Sequence, residues 1–454
     1  MRAHPYITKR LVAMISRMGE EGFCKRANLK VNKLGHLCMR DHDLVNLADR
    51  FGTPLYVVDA QRIRENFRRF RNALAQYPKV LIAYAYKANP NLAVCSILRK
   101  EGAGAEVVSG GELYIALKVG VNPEDIVFDG VSKEEAELEV AIENEIGAIN
   151  VESLEELRKI EEIASEMGKK ANIGVRLNPD VPVKAHPHDV TGIKSSKFGL
   201  DFEKALKAYE IARRMNHIDI RGIHMHIGSQ ITEISSFKDA ALRLFDFISK
   251  LKEMKIALDY IDFGGGLGVS YSDPREDYLK EYASVLLNIV KVKIKELDLG
   301  EPRLVFEPGR YLVADSSVLL TKVNYTKEIF GKRWVLVDAG MNDFMRPAFY
   351  GAYHEIIPVN KASRPKSKKY NVGGPICESS DVFRYGVELP EIRQGDLLAI
   401  LDVGAYGISM SNQYNARPRP AMVLIDGSRV AIIRERESYV DLISKDRVPE
   451  WIDS

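Results

Sequence analysis

Eight short apolar runs recur between residues 81 and 308, each closing on polar residues or glycine, and they leave few folds open. They end in Lys87, in Glu106-Val-Val-Ser109, in Val127-Phe-Asp-Gly130 and in Asn150-Val-Glu-Ser153. Val175-Arg-Leu-Asn178, His224-Met-His-Ile-Gly228, Asp262-Phe-Gly-Gly265 and Val305-Phe-Glu-Pro308 complete the set. The early ends return at intervals of roughly 22 residues, room for one strand, one helix and two tight loops. Between them, Leu154 to Met167 and Phe237 to Met254 carry apolar residues at three- and four-residue spacing, the mark of amphipathic helices. Eight such repeats predict a closed parallel (β/α)8 barrel. The chemistry-bearing residues fall at strand C-termini, the face where such barrels place their sites.

The first run, Leu81 to Tyr86, is bounded by Pro78 and Pro90 and reads as a buried strand. It delivers Lys87 directly into Ala-Asn-Pro, where Pro90 disfavours regular structure at Asn89. Desolvating an ammonium at a strand end is costly, lowers its pKa and makes it a nucleophile toward carbonyls. A strand-end lysine reaching out to solvent is the ordinary alternative.

The remaining sequence sets bounds. At 454 residues two domains are expected. Hydrophobic residues make up 46% and charged residues 28%, and 65 Lys plus Arg balance 63 Asp plus Glu, so nothing points to a nucleic-acid partner. No apolar run reaches the length of a membrane span, and Leu11 to Ile15 is too short for a signal sequence. Cys24, Cys38, Cys95 and Cys377 lie far apart, which fits a reducing cytoplasm. Cys24, His36, Cys38 and His42 match no zinc-finger spacing, so no metal is expected. Residues 1–52 read as an N-terminal segment that packs with a later β domain. Residues 53–312, with a strand at Tyr56 to Val58, read as the barrel, and residues 313–454 as an all-β domain. In that last part Trp334 to Val337, Leu397 to Asp402 and Ala421 to Ile425 are strands between Gly, Pro and Asn turns. The long loop Pro179 to Leu200 reads as a lid over the site.

Three strand ends suggest a ligand. Gly264, Gly265, Gly266 and Gly268 would let backbone N–H groups approach a phosphate, although tight strand exits use glycine too. His226-Ile-Gly228-Ser229 adds a flat ring and a hydroxyl, with a plain core histidine as the alternative. Glu307-Pro-Gly309-Arg310 adds a carboxylate and a guanidinium, which could instead pair with each other. An amine, a phosphate cradle, a ring and a carboxylate on one rim are what pyridoxal 5'-phosphate requires. A sugar phosphate in an aldolase-type barrel would not need Glu307.

The stretches AYAYKANPN, EVVSGGEL, HMHIGSQI, DFGGGLG, EPGRYLVA, MNDFMRPAFYGAYH, GPICESSD and DVGAYG occur in this order. On these the chain resembles the diaminopimelate decarboxylases, among the fold-type III pyridoxal-phosphate decarboxylases, from about residue 30 almost to the C-terminus. The resemblance implies Lys87 as the Schiff-base lysine, His226 stacked on the cofactor ring and Glu307 at its nitrogen. It implies phosphate contacts from Gly228, Ser229, Gly264, Gly265, Gly266 and Gly309. Arg310, Arg346 and Tyr350 would bind substrate carboxylate, Glu378 the distal ammonium, Cys377 would donate a proton, and Tyr406 would contact both cofactor and substrate. The family's usual Cys-Glu-Ser-Gly-Asp is Cys-Glu-Ser-Ser-Asp here, which raises the question of the backbone at Ser380. The implied reaction takes meso-2,6-diaminoheptanedioate to L-lysine and carbon dioxide, in a homodimer with shared sites. Relatives acting on ornithine, lysine, arginine or carboxynorspermidine are the nearest alternative. A non-catalytic regulatory relative is a third, against which Lys87 and Cys377 stand.

Overall fold

Eight parallel strands close on themselves in the computed structural model, which describes residues 29–183, 191–272 and 277–453. The barrel strands are β5 (Val80–Ala85), β6 (Gly104–Val107), β7 (Ile126–Phe128) and β8 (Ala148–Val151), then β9 (Ala171–Arg176), β10 (Ile218–His224), β11 (Tyr260–Asp262) and β12 (Arg303–Phe306). They pair in sequence order, and β12 returns to β5 through Leu304↔Val80. These are the eight runs singled out from the sequence. A strand covered by helices outside and by side chains inside has no solvent face, so it is apolar throughout rather than alternating. Accordingly β6, β7, β8 and β11 are buried along their whole length. Leu81, Ala83, Val127, Ala148, Tyr260 and Val305 form one core cluster of the barrel. Each large apolar side chain buried there contributes on the order of 2 kcal/mol.

The helices start where the sequence supplies caps. Ser109, Ser153 and Asp201 accept from the backbone N–H three residues on, opening Gly110–Lys118, Leu154–Glu166 and Phe202–Ala212. Ser109 and Ser153, noted as strand-end residues, thus serve as helix caps. Among the described residues no helix is long and apolar enough to cross a membrane.

The chain divides into two compact units. One comprises residues 63–269 and 278–314 and holds the barrel; the other comprises the described parts of 1–62, 270–277 and 315–454. In the second unit β1 (Leu29–Val31), β2 (Leu37–Met39) and β3 (His42–Asp43) form a small antiparallel sheet. Strand β4 (Leu55–Asp59), grouped with the barrel on sequence grounds, pairs instead with β13 (Ser317–Ile329) and β19 (Ala421–Asp426). The same nine-stranded sheet contains β14 (Lys332–Val337), β15 (Ile356–Pro358), β16 (Lys368–Gly373), β17 (Val382–Leu389), β18 (Leu397–Leu401) and β20 (Arg429–Arg434). Its core joins Leu29, Leu37, Met39, Leu44 and Leu47 to Val318, Leu320, Ala399 and Val423.

His36 Nδ1 lies 2.9 Å from Asp43 Oδ2, and His42 Nε2 lies 2.8 Å from the Gly427 carbonyl, so these rings have protein partners. Cys24 and residues 184–190, the middle of the expected lid, lie outside the described residues.

Candidate active site

Lys87 leaves β5 in a single 3-10 turn, Tyr86–Ala88, because the chain must turn extended at Asn89 before Pro90. Its side chain is one-third exposed, and Nζ donates to Glu106 Oε1 at 3.1 Å. Glu106 is fully buried at the end of β6, and burial pushes its carboxyl up to about 7 even against the pull of Lys87. This pairing was not read from the sequence, although both residues close neighbouring strands.

Beneath this rim lies a buried cluster that the sequence analysis also missed. Asp129 follows β7, His224 ends β10 and Glu307 follows β12, and their polar atoms lie within 4.8 Å of one another. His224 Nε2 is 3.3 Å from Asp129 Oδ2 and 3.4 Å from Glu307 Oε2. Asn150 Nδ2 donates to Asp129 Oδ1 at 2.6 Å, and Asn150 Oδ1 accepts from the Tyr260 hydroxyl at 3.1 Å. The Tyr260 ring occupies the barrel interior, where a Cβ on Gly222 would collide with it. Burial, then Asp129, drives the Glu307 carboxyl well above its usual range, and burial with Glu307 does the same to Asp262. For Asp129 burial acts upward, but His224, Arg176, the hydrogen bond from Asn150 and Lys87 together outweigh it and hold the carboxyl below its usual range. One signal was available: His224 and His226 are two residues apart, which along a strand directs both rings to the same face.

His226 Nδ1 accepts from the Gly265 N–H at 3.2 Å, so the ring is neutral with its proton on Nε2. Burial, helped by Lys87, lowers its pKa well below the ordinary value. Gly264 N–H donates to Asp262 Oδ1 at 2.8 Å. Two of the three N–H groups expected to face a phosphate are therefore engaged inside the protein. What requires these glycines is close passage of main chains. A Cβ on Gly264, Gly265 or Gly266 would strike the carbonyl oxygen of Met225, Glu307 or Gly228. Gly264 and Gly266 also adopt φ of +64° and +100°, a region that side-chain-bearing residues rarely enter. Gly309 packs against Ala85 and Ala88 and precedes the short helix Arg310–Val313. The buried Arg310 donates from a terminal nitrogen to Ser229 Oγ at 2.9 Å, tying two rim residues together.

These residues fit pyridoxal phosphate. Neither Glu307 oxygen accepts a hydrogen bond among the described residues, so a buried acceptor stands ready for a protonated ring nitrogen. The lysine, the neutral imidazole, the Ser229 hydroxyl and the Arg310 guanidinium belong to the same unit.

Arg346, Tyr350, Cys377, Glu378 and Tyr406 belong to the other unit. Arg346 opens the helix Arg346–Tyr350 and is buried, with its guanidinium 5.2 Å from the Tyr271 ring centre and 5.9 Å from that of Tyr350. His354 Nδ1 donates to the Leu401 carbonyl at 2.8 Å, leaving Nε2 to accept from Arg346 Nε at 3.3 Å. Cys377 is exposed, and its N–H donates to Asn415 Oδ1 at 2.8 Å. Ser380 keeps a negative φ, so no glycine is required there. Its hydroxyl instead donates to Glu378 Oε1 at 2.5 Å. Tyr406 adopts φ +56°, an unusual conformation for a side-chain-bearing residue and one concentrated at functional sites.

Residues 60–314 match the family model described as pyridoxal-dependent decarboxylase, pyridoxal binding domain. Over 426 residues the chain is 46% identical to a diaminopimelate decarboxylase of Methanocaldococcus jannaschii, covering 92% of this chain and 96% of that one. A diaminopimelate decarboxylase of Aquifex aeolicus is 44% identical, covering 89% of this chain and 94% of the relative. The crystal structure of the M. jannaschii diaminopimelate decarboxylase in complex with L-lysine superposes with a TM-score of 0.88, covering 93% of this chain and 98% of that one.

Proposed function

The chain belongs to the diaminopimelate decarboxylase family, and from that membership we propose that it converts meso-2,6-diaminoheptanedioate to L-lysine and carbon dioxide. The observation that carries the reading is a strand-end lysine paired with a buried carboxyl on a barrel that also buries the Glu307 carboxyl, whose oxygens accept no hydrogen bond among the described residues. The enzyme is a pyridoxal-phosphate-dependent carboxy-lyase. Lys87 would hold the cofactor covalently, with Glu307 as the partner of its ring nitrogen and His226 as its stacking partner. Ser229, Arg310 and the glycine turns at Gly228, Gly266 and Gly309 would hold its phosphate. Bound there, pyridoxal phosphate supplies the electron sink for the pair released when the bond to the departing carboxylate breaks.

Everything else falls to the chain's own groups. His226 is neutral and would add no charge beside the cofactor ring, and Glu307, once ionised, would hold a proton at the ring nitrogen. Arg346 and Tyr350 hold substrate carboxylate, where a guanidinium fork offers two parallel hydrogen bonds. Glu378, braced by Ser380, takes the distal ammonium. Cys377 Sγ holds the proton that replaces the lost carboxylate, and Tyr406 contacts both cofactor and substrate. We place the enzyme in the cytoplasm as a homodimer in which Cys377 of one chain serves the Lys87 site of the other. The exposure of Cys377 and Glu378 on the isolated chain supports that arrangement.

The test is an assay of purified, cofactor-loaded protein with diaminopimelate, ornithine, lysine and arginine. L-lysine and carbon dioxide should form from diaminopimelate, with kcat/KM above that for each other substrate. A preference for ornithine, lysine or arginine would replace the proposed substrate.

A further inference from the structure

We infer that His224 is the positioning residue of this site: wedged between Asp129 and Glu307, it fixes the Glu307 carboxyl where the ring nitrogen binds. The inference rests on the reading that Glu307 faces that nitrogen. Three carboxyls, those of Asp129, Asp262 and Glu307, are buried close together, so that Asp129 acts upward on Glu307 and Glu307 on Asp262, and their arrangement depends on what separates them. The imidazole of His224 is the group between two of them, at 3.3 and 3.4 Å, and it is fully buried. Arg176 and Lys87 also act on Asp129, and Lys87 on Glu307, but the Arg176 guanidinium is bound to Glu152 Oε1 at 2.7 Å and Lys87 Nζ to Glu106 Oε1 at 3.1 Å.

The far side of the wedge is fixed. Asp129 is held by Asn150, and Asn150 by the Tyr260 hydroxyl, so three side chains anchored in the barrel back His224 against Glu307. Without the imidazole, nothing would hold the Glu307 carboxyl apart from that of Asp129, and the ring nitrogen would lose a fixed partner. The arrangement resembles the outer groups that orient metal ligands, whose loss costs about 10–100-fold in affinity.

The experiment is a double-mutant cycle on cofactor affinity, measured by titrating cofactor-stripped protein with pyridoxal phosphate and following absorbance, without any turnover. His224→Gln should weaken binding by about 10–100-fold. In the Glu307→Gln background the same change should cost less than about 3-fold, because the group it positions has lost its charge. Equal losses in both backgrounds would show that His224 merely supports the barrel and would overturn the inference, leaving the role of Glu307 intact. Unchanged affinity in Glu307→Gln alone would remove the reading of Glu307 and the inference together. Should His224→Gln not fold by circular dichroism, Asp129→Asn goes through the same cycle, and additivity there overturns the inference equally.

Discussion

Lys87 Nζ donates to Glu106 Oε1 across 3.1 Å, joining the ends of two adjacent barrel strands by the residue proposed to carry the cofactor. A buried carboxyl in that position resists ionisation, and so does Asp343 in the other unit, where burial pushes the group up to about 7. A carboxyl whose folded pKa exceeds its unfolded value stabilises the fold below the unfolded pKa and withdraws that stability as pH rises through the folded one. Cofactor-free protein should therefore lose stability between about pH 4.5 and 7, with a slope approaching about 1.4 kcal/mol per pH unit for each group. Denaturant midpoints across pH 5–8 check this. Glu106→Gln and Asp343→Asn should each flatten the fall, and a wild-type profile that rises over this window would contradict both assignments.

Gly265 approaches the Glu307 main chain so closely that an added methyl group would meet the carbonyl oxygen, which cannot swing aside as a side chain could. Gly265→Ala should cost about 1–3 kcal/mol of stability by overpacking. Because Glu307 moves with its own backbone, cofactor affinity should fall as well. Denaturation and cofactor titration of the variant measure the two effects, and unchanged affinity would detach this turn from the site.

The barrel was legible because each of its strands carries its own signal. Val80–Ala85 is buried over five of its six residues, and strands of this kind are read locally. Strand β4 shows the limit. Leu55–Asp59 is as apolar as a barrel strand, and its partners begin at Ser317 and Ala421, a choice that no local pattern contains. The site divided in the same way. Lys87, His226 and Glu307 stood out by residue type at strand ends. Glu106, Asp129 and His224 act through neighbours on other strands, so their contacts appear only when the sheet closes. The glycine run shows a third kind of limit. Its spacing suggested N–H donors for an anion, but packing against Met225, Glu307 and Gly228 is what excludes a side chain there.

Glu378 is the proposed anion for the distal ammonium, with Ser380 donating to it at 2.5 Å. Removing one partner of a desolvated charge pair costs about 2–5 kcal/mol, or roughly 30-fold and upward in binding. Glu378→Gln should raise the KM for diaminopimelate by at least that factor while leaving cofactor binding intact. An unchanged kcat/KM would free Glu378 from this role.

A shared site makes a quantitative demand. Lys87→Ala and Cys377→Ala homodimers should each be severely impaired. After mixing and chain exchange, half the dimers are mixed and each mixed dimer has one intact site, so activity should return to about a quarter of wild type. No recovery, with exchange confirmed by a mass tag, would assign Cys377 to its own chain's site.

The central claim is that the chemistry is built around Lys87. Borohydride reduction of the loaded enzyme, followed by proteolysis and mass spectrometry, tests it most directly. The account predicts one cofactor fixed per chain, on the peptide containing Lys87, and none in Lys87→Ala. A reduced cofactor on any other lysine, or a labelled Lys87→Ala protein, would contradict it.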